Sequence, residues 1–267
     1  MKKFISFALI LFLISGCFIS CRKKGKGNPP VLPAAATMLI DFSDFIHLHG
    51  VSGNSLDIKG SNNYNWLEAA KIVSSWQTLT ANLSIPISAY KAASGREASH
   101  ISGSKWGWSY NVNVAGATYN VRLTGETSGF QVNWEMYISQ NGSSEFKWLT
   151  GTSDTNGTPG KWVFNESYTS QTDFLQIDWK KSGKKIETIK YTYLKNGLNK
   201  DAYIEYGSTS GNYNFYYTVH YYNETFGKFS DVNIEWNSSK NGRIKSSDYM
   251  DGTWKCWDSS GIDATCN

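Results

Sequence analysis

The sequence predicts a mainly β protein: a large curved antiparallel meander or barrel of roughly ten to twelve strands, with an N-terminal helical segment packed on it. Three observations carry this reading. Apolar residues alternate over long stretches. Phe130, Val132, Trp134, Met136 and Ile138 interleave with Gln131, Asn133, Glu135 and Tyr137, while Tyr213, Phe215, Tyr217, Val219 and Tyr221 interleave with Asn214, Tyr216, Thr218 and His220. A period of two is the mark of strands buried on one face. Turn signals recur at Ala115-Gly116, Ser128-Gly129, Asn141-Gly142, Asn156-Gly157, Ser182-Gly183, Asn196-Gly197, Ser210-Gly211, Phe226-Gly227 and Asn241-Gly242, with one longer gap around 167–172 that hides a further loop. Such pairs supply the positive φ angles of tight hairpins. Helical periodicity is confined to 62–95, ahead of a sheet over 105–257. A meander this long is expected to curl or close, which removes its exposed edges.

Taken in order, residues 1–16 read as an export signal. Lys2 and Lys3 lead into an apolar run, Phe4 to Ile14, and Ser15-Gly16 precedes Cys17. A cationic start, a short apolar stretch and small residues at its end make a signal peptide. Small residues followed directly by cysteine resemble the lipobox of bacterial lipoproteins. That resemblance implies lipid on Cys17 and a protein anchored in the cell envelope, with the outer membrane the expected address. Cys21, preceded by Phe18-Ile19-Ser20, is the alternative lipid site, and cysteine parity favours it. Residues 17–37 include RKKGKGNPPVLPAAAT, a composition that cannot bury a core and reads as a lipid-anchored flexible tether.

Residues 38–267 then form one β-rich domain. Met38 to Phe42 reads as a strand. Asn65 with Glu68 three residues on has the pattern of a helix-capping box. Trp66, Ala69, Ala70, Val73, Trp76 and Leu79 fall on one face of that helix. A second short helix is expected over 86–94, stopped by Gly95. Val132-Asn133-Trp134, Ile177-Asp178-Trp179 and Ile234-Glu235-Trp236 share a pattern in which each Trp should pack inward. The stretch from the helix through Lys105-Trp106-Gly107-Trp108 to Trp254-Lys255-Cys256-Trp257 is similar to uncharacterised bacterial envelope lipoproteins, a likeness that implies no activity.

Charge excludes a nucleic-acid partner. Of 26 basic and 22 acidic residues, six basic ones (Lys2, Lys3, Arg22, Lys23, Lys24, Lys26) precede residue 27, so the body carries 20 against 22. A nucleic-acid binder keeps its basic excess on the folded domain. The body reads as having no cationic cluster outside the tether, and the tether cations suit anionic lipid headgroups. Cys256 and Cys266 are expected to form a disulfide, since an exported chain meets an oxidising compartment. Closing so small a loop contributes roughly 3 kcal/mol in the chain-entropy model.

No catalytic, cofactor or metal motif emerges. His47-Leu48-His49 would point two imidazoles to one side of a strand near Asp41 or Asp44, but no third ligand sits at motif spacing. Gly207 to Gly211 has the glycines of a nucleophile elbow around Thr209 rather than Ser, and a hairpin explains it better. Glu126, Glu135, Asp178, Glu205 and Glu235 read as solvent-facing strand residues. The remaining clue is aromatic: 11 Trp, 16 Tyr and 13 Phe exceed what strand propensity alone requires. Trp106, Trp108, Trp134, Trp179, Tyr216, Tyr222 and Trp236 are the candidate ligand-surface aromatics. The expected function is therefore non-catalytic binding of an apolar small molecule or a glycan, with an accessory structural role in an envelope complex as the alternative and a glycan-active enzyme, using a pair of the strand carboxylates, the least supported class.

Overall fold

The chain folds, in a computed structural model that describes residues 27–49, 62–140, 142–167 and 169–266, as one antiparallel sheet covered on one face. Its first strands are β1 (Ser99–Ser102), β2 (Lys105–Val114), β3 (Ala117–Ser128), β4 (Gln131–Gln140) and β5 (Phe146–Asp154). The middle holds β6 (Pro159–Asn165), β7 (Asp173–Ser182), β8 (Lys185–Tyr193), β9 (Tyr203–Ser208) and β10 (Phe215–Asn223). The last are β11 (Lys228–Trp236), β12 (Gly242–Ser246), β13 (Lys255–Trp257) and β14 (Asp263–Ala264). Each pairs only with its neighbours in sequence.

Fourteen strands exceed the expected ten to twelve, and the sheet stays open, with β1 and β14 at its two ends. The closed barrel is thus corrected. Both ends meet the helical layer instead: α2 (Tyr64–Thr80) lies over β12 to β14, and α3 (Ser84–Lys91) over β2 and β3. Covering the face with helices buries what closure would have buried. The single core includes Trp66, Val73, Leu123, Met136, Phe164, Tyr217 and Ile234, all at most 1% exposed.

The capping expectation shifts by two residues. Asn63 is the cap position, whereas Asn65 is buried inside the first turn of α2. There its backbone N–H donates to Asp263 Oδ1 at 2.8 Å, and its side-chain amide donates to the Cys256 carbonyl at 2.8 Å. The last strand therefore caps the longest helix. Cys256 and Cys266 stand at disulfide distance, with an S–S separation of 2.13 Å.

The tether expectation fails from Pro30 onward. Residues 30–46 cross the covered face as a strap, transverse to the strands. Pro30 lies against Gly125 of β3, and Pro33 against Gly157 beyond β5. The Pro33 carbonyl accepts from the Tyr90 hydroxyl at 2.7 Å. Thr37 Oγ1 accepts from Trp162 Nε1 at 3.0 Å, and Tyr191 of β8 accepts from Ile40 N–H while donating to the Met38 carbonyl, both at 2.9 Å. The expected strand over 38–42 is absent. A 3-10 turn, Ala35–Met38, precedes α1 (Phe42–Ile46), whose Phe45 packs on Tyr217 and Trp236. A proline-rich segment without its own periodicity can be ordered by the surface it lies on, and composition does not reveal that.

The turns after β3, β5, β7, β9 and β11 form one rim of the sheet, here the strap rim, and those after β2, β4, β6, β8, β10 and β12 form the helix rim. Near the strap rim, indoles lie flat over glycines of the neighbouring strand. Register places Trp134 opposite Gly125 and Gly151, Trp162 opposite Gly151, Trp179 opposite Gly160, and Gly242 between Trp236 and Trp257. A Cβ on Gly160 would fall 2.6 Å from the Thr152 carbonyl oxygen and against the Trp179 ring. Aromatic cover of strand glycines restores the packing that a missing side chain forfeits.

Candidate functional site

Of the seven candidate surface aromatics, four are packed inside. Trp108, Trp134, Trp179 and Trp236 are at most 7% exposed. Trp134, Trp179 and Trp236 bear out the inward packing of the repeated Trp pattern, and Trp236 alone of these three borders the strap cleft described next. Trp162 and Trp179 stack on each other, 4.9 Å apart at 17°. Trp106 is half-buried beside His100, with ring centroids 5.2 Å apart. Tyr216 and Tyr222 lie on the face opposite the helices, which fits their alternation with Phe215 and Tyr217. Cys17 and Cys21 lie outside the described residues.

The covered face is filled except at its margins. The margin of interest is a cleft of about 370 Å³ between the strap and β8 to β11. Phe45, Tyr206, Phe215, Tyr217 and Trp236 make an aromatic floor, with Tyr217 and Trp236 4.8 Å apart and Tyr206 5.7 Å from Tyr217. Leu39, Leu48, Ile186 and Ile189 add aliphatic walls. Two carboxylates, Asp41 and Asp44, stand exposed at the mouth. Burial, followed by the charge of Asp44, raises the Tyr206 hydroxyl above the usual tyrosine range. Burial pushes Tyr217 up further. Both phenols stay protonated at neutral pH and can donate. The cleft thus offers apolar contact within and hydrogen-bond acceptors at its entrance.

A second feature lies on the open face. Tyr203, His220 and Phe229 stack across β9, β10 and β11, with centroid separations of 5.4 and 4.5 Å and interplanar angles of 17° and 2°. The Lys190 ammonium sits 3.7 Å above the Tyr203 ring, and His220 Nδ1 is 2.7 Å from Asp231 Oδ1. Nearby, Tyr216 covers Gly207 and donates to Glu205 at 3.1 Å. Burial first, then Glu205, raises Tyr216 to about 12.

The remaining candidates disperse. His47 ends α1 and is exposed, whereas His49 packs edge-on against Trp66 at 5.0 Å, so the pair shares no strand face. Among the described residues no group of three metal-ligating side chains forms. Thr209 starts the turn after β9, where its hydroxyl accepts from Gly211 N–H at 3.0 Å. Glu126, Glu135 and Glu235 pair with Lys105, Lys147 and Arg243 across strands at 3.8, 2.7 and 2.6 Å. Asp178 accepts from Gln176 at 2.7 Å. All lie on the open face.

Sequence reading missed the cleft because it needs the strap. Asp41 and Asp44 entered that reading only as neighbours of the histidines, and Tyr206 not at all. Alternation could have put Tyr206 on the same face as Ile204, but nothing local says that a segment 160 or so residues upstream lies across it. Among the described residues no helix is long and apolar enough to cross a membrane. No family model, curated protein or solved structure matches this chain.

Proposed function

We propose that this is a lipid-anchored protein of the cell envelope, most at home in the outer membrane, that binds a small ligand with an apolar body and a hydroxyl-bearing or cationic end. The observation that carries the binding reading is the cleft of about 370 Å³ with an aromatic floor and two carboxylates at its mouth. Ligand sites combine such apolar lining with a few converging polar groups. The apolar body would lie on Phe215, Tyr206 and Trp236, and its polar end would reach Asp41 and Asp44. The export and anchoring part rests on Lys2 through Cys17 and their likeness to lipoprotein signals. Cys17→Ser should abolish fatty-acid labelling; labelling lost only with Cys21→Ser would move the lipid to that residue.

Binding is tested by calorimetric titration of the purified protein with long-chain amines, fatty alcohols and oligosaccharides. Ile186→Glu places a charge in the cleft wall and should weaken an authentic ligand at least tenfold, with an unchanged circular dichroism spectrum. A ligand whose affinity ignores Ile186→Glu and Asp44→Asn does not use the cleft, and the reading fails. The stack of Tyr203, His220 and Phe229 supports a second reading, a glycan lying on the open face, because planar aromatic surfaces suit sugar rings. An oligosaccharide that responds to Phe229→Ala and not to Ile186→Glu would select it.

A further inference from the structure

Three consecutive turns of the strap rim are tied into one surface. The turn after β5 connects to its neighbours on both sides: Thr155 N–H donates to the Phe130 carbonyl at 3.1 Å, and Lys181 N–H donates to the Thr158 carbonyl at 2.9 Å. Two unlike features meet there. Phe130, at the tip of the β3–β4 turn, is 91% exposed, and Val31, held between the docked Pro30 and Pro33, is 57% exposed. The β7–β8 hairpin beside them reads Lys180-Lys181-Ser182-Gly183-Lys184-Lys185. This corrects the expectation that the body lacks a cationic cluster. Lys180 pairs with Glu187 at 3.1 Å, and among the described residues no carboxylate lies within ion-pair distance of Lys181, Lys184 or Lys185. Asp154, which ends β5 at the middle turn, already accepts from Thr158 N–H and Oγ1, both at 2.8 Å.

We infer that this corner of the strap rim docks flat on an anionic lipid surface, with Phe130 and Val31 entering the interface and the Lys181–Lys185 hairpin on the headgroups. Single exposed apolar residues are ordinary. The inference rests on their combination with unpaired cations and on where the chain emerges. The strap enters the fold at this same corner, at Pro30 against Gly125. If Cys17 is lipidated, as the proposed function holds, only thirteen residues separate lipid from fold, a reach of at most about 45 Å fully extended. Those residues include Arg22, Lys23, Lys24 and Lys26, which draw the same corner towards anionic lipid.

The test uses the full chain on vesicles of phosphatidylglycerol with phosphatidylethanolamine, on phosphatidylcholine vesicles, and in detergent, with lipid in large excess. Flotation on the phosphatidylcholine vesicles reports the anchor, and amide hydrogen exchange at the 129–130 and 182–185 turns reports docking. We expect those turns to exchange at least tenfold more slowly on the anionic vesicles alone, with the helix-rim turns around 197 and 226 unchanged. Lys184→Gln with Lys185→Gln should lower the docking equilibrium roughly thirtyfold, and Phe130→Ser should remove protection at its own turn. Equal exchange on vesicles and in detergent overturns the inference even if the protein floats. Protection at the rim on the anionic vesicles, with no flotation on phosphatidylcholine, upholds it and removes the lipid anchor instead.

Discussion

The two rims of the sheet solve the same burial problem with opposite materials. At the strap rim the sheet supplies the volume: Trp134, Trp162, Trp179 and Trp257 lie over glycines, and the strap, with its 3-10 turn and the short α1, crosses this row as a thin cover. At the helix rim the covering layer supplies the volume. Trp76 and Leu79 of α2 face Tyr193, Ala202 and Tyr221, and Ile85 at the start of α3 sits near Tyr119, Ile138 and Phe146. Inward positions there include residues as small as Ser230 and Ser246, 2% and 4% exposed. A helix is about 10 Å across with its side chains, far thicker than an extended strand of chain. The difference teaches that a thin cover lies over indoles seated on glycines, whereas beneath helices the inward positions range from serine to tyrosine. Close packing leaves little freedom in that choice.

The comparison is sharpest where one carbon is added or removed. Gly160→Ala should be the most damaging of three substitutions, destabilising by about 3 kcal/mol or more. Its new Cβ meets a backbone carbonyl and an indole already stacked on Trp162, so neither neighbour can yield. Urea unfolding followed by tryptophan fluorescence measures it; a midpoint near that of the parent protein would break the claim that this rim is filled to its limit. Tyr191→Phe should come next, at about 1–3 kcal/mol. It deprives the buried Ile40 N–H and Met38 carbonyl of their shared partner. If the strap holds the rim, exchange of the Ile40 amide should quicken more than that of any helix-rim amide. Ile138→Val, a methylene lost at the helix rim, should cost only about 1 kcal/mol. A larger loss there than for Gly160→Ala would invert the comparison.

How far the sequence speaks depends on how local each cause is. Alternation and hairpin glycines are read within a dozen residues, so the run of strands from Lys105 and nearly every turn between them could be placed. The four-residue β1 and two-residue β14 are too short for a period to register. Whether the meander closes is not a local property: it depends on α2 and α3 occupying the face, and the strand pattern is the same either way. Trp134, Trp179 and Trp236 were assignable to the inner face, but whether that face was wet or filled was not. The lysine hairpin at 180–185 shows a different failing, because summing charge over the body hid a cluster that six consecutive residues display. The cleft was the least legible, being an absence between two segments far apart in the chain.

The strap also sets the order in which the molecule can be completed. Ile40 and Met38 find Tyr191 at sequence separations of 151 and 153, Thr37 finds Trp162 at 125, and Asn65 finds Asp263 at 198. Contacts so distant must wait for loop closure, and chains dominated by them fold slowly. The meander itself can grow by adding each hairpin to the last, since every strand pairs with its sequence neighbours. The strap is therefore among the last segments to lock. An exported chain would hold Pro30 to Ile46 open until β8 to β11 have formed, and the start of α2 until Asp263 has arrived, leaving the tryptophan row uncovered in the interval and in need of shelter from other chains.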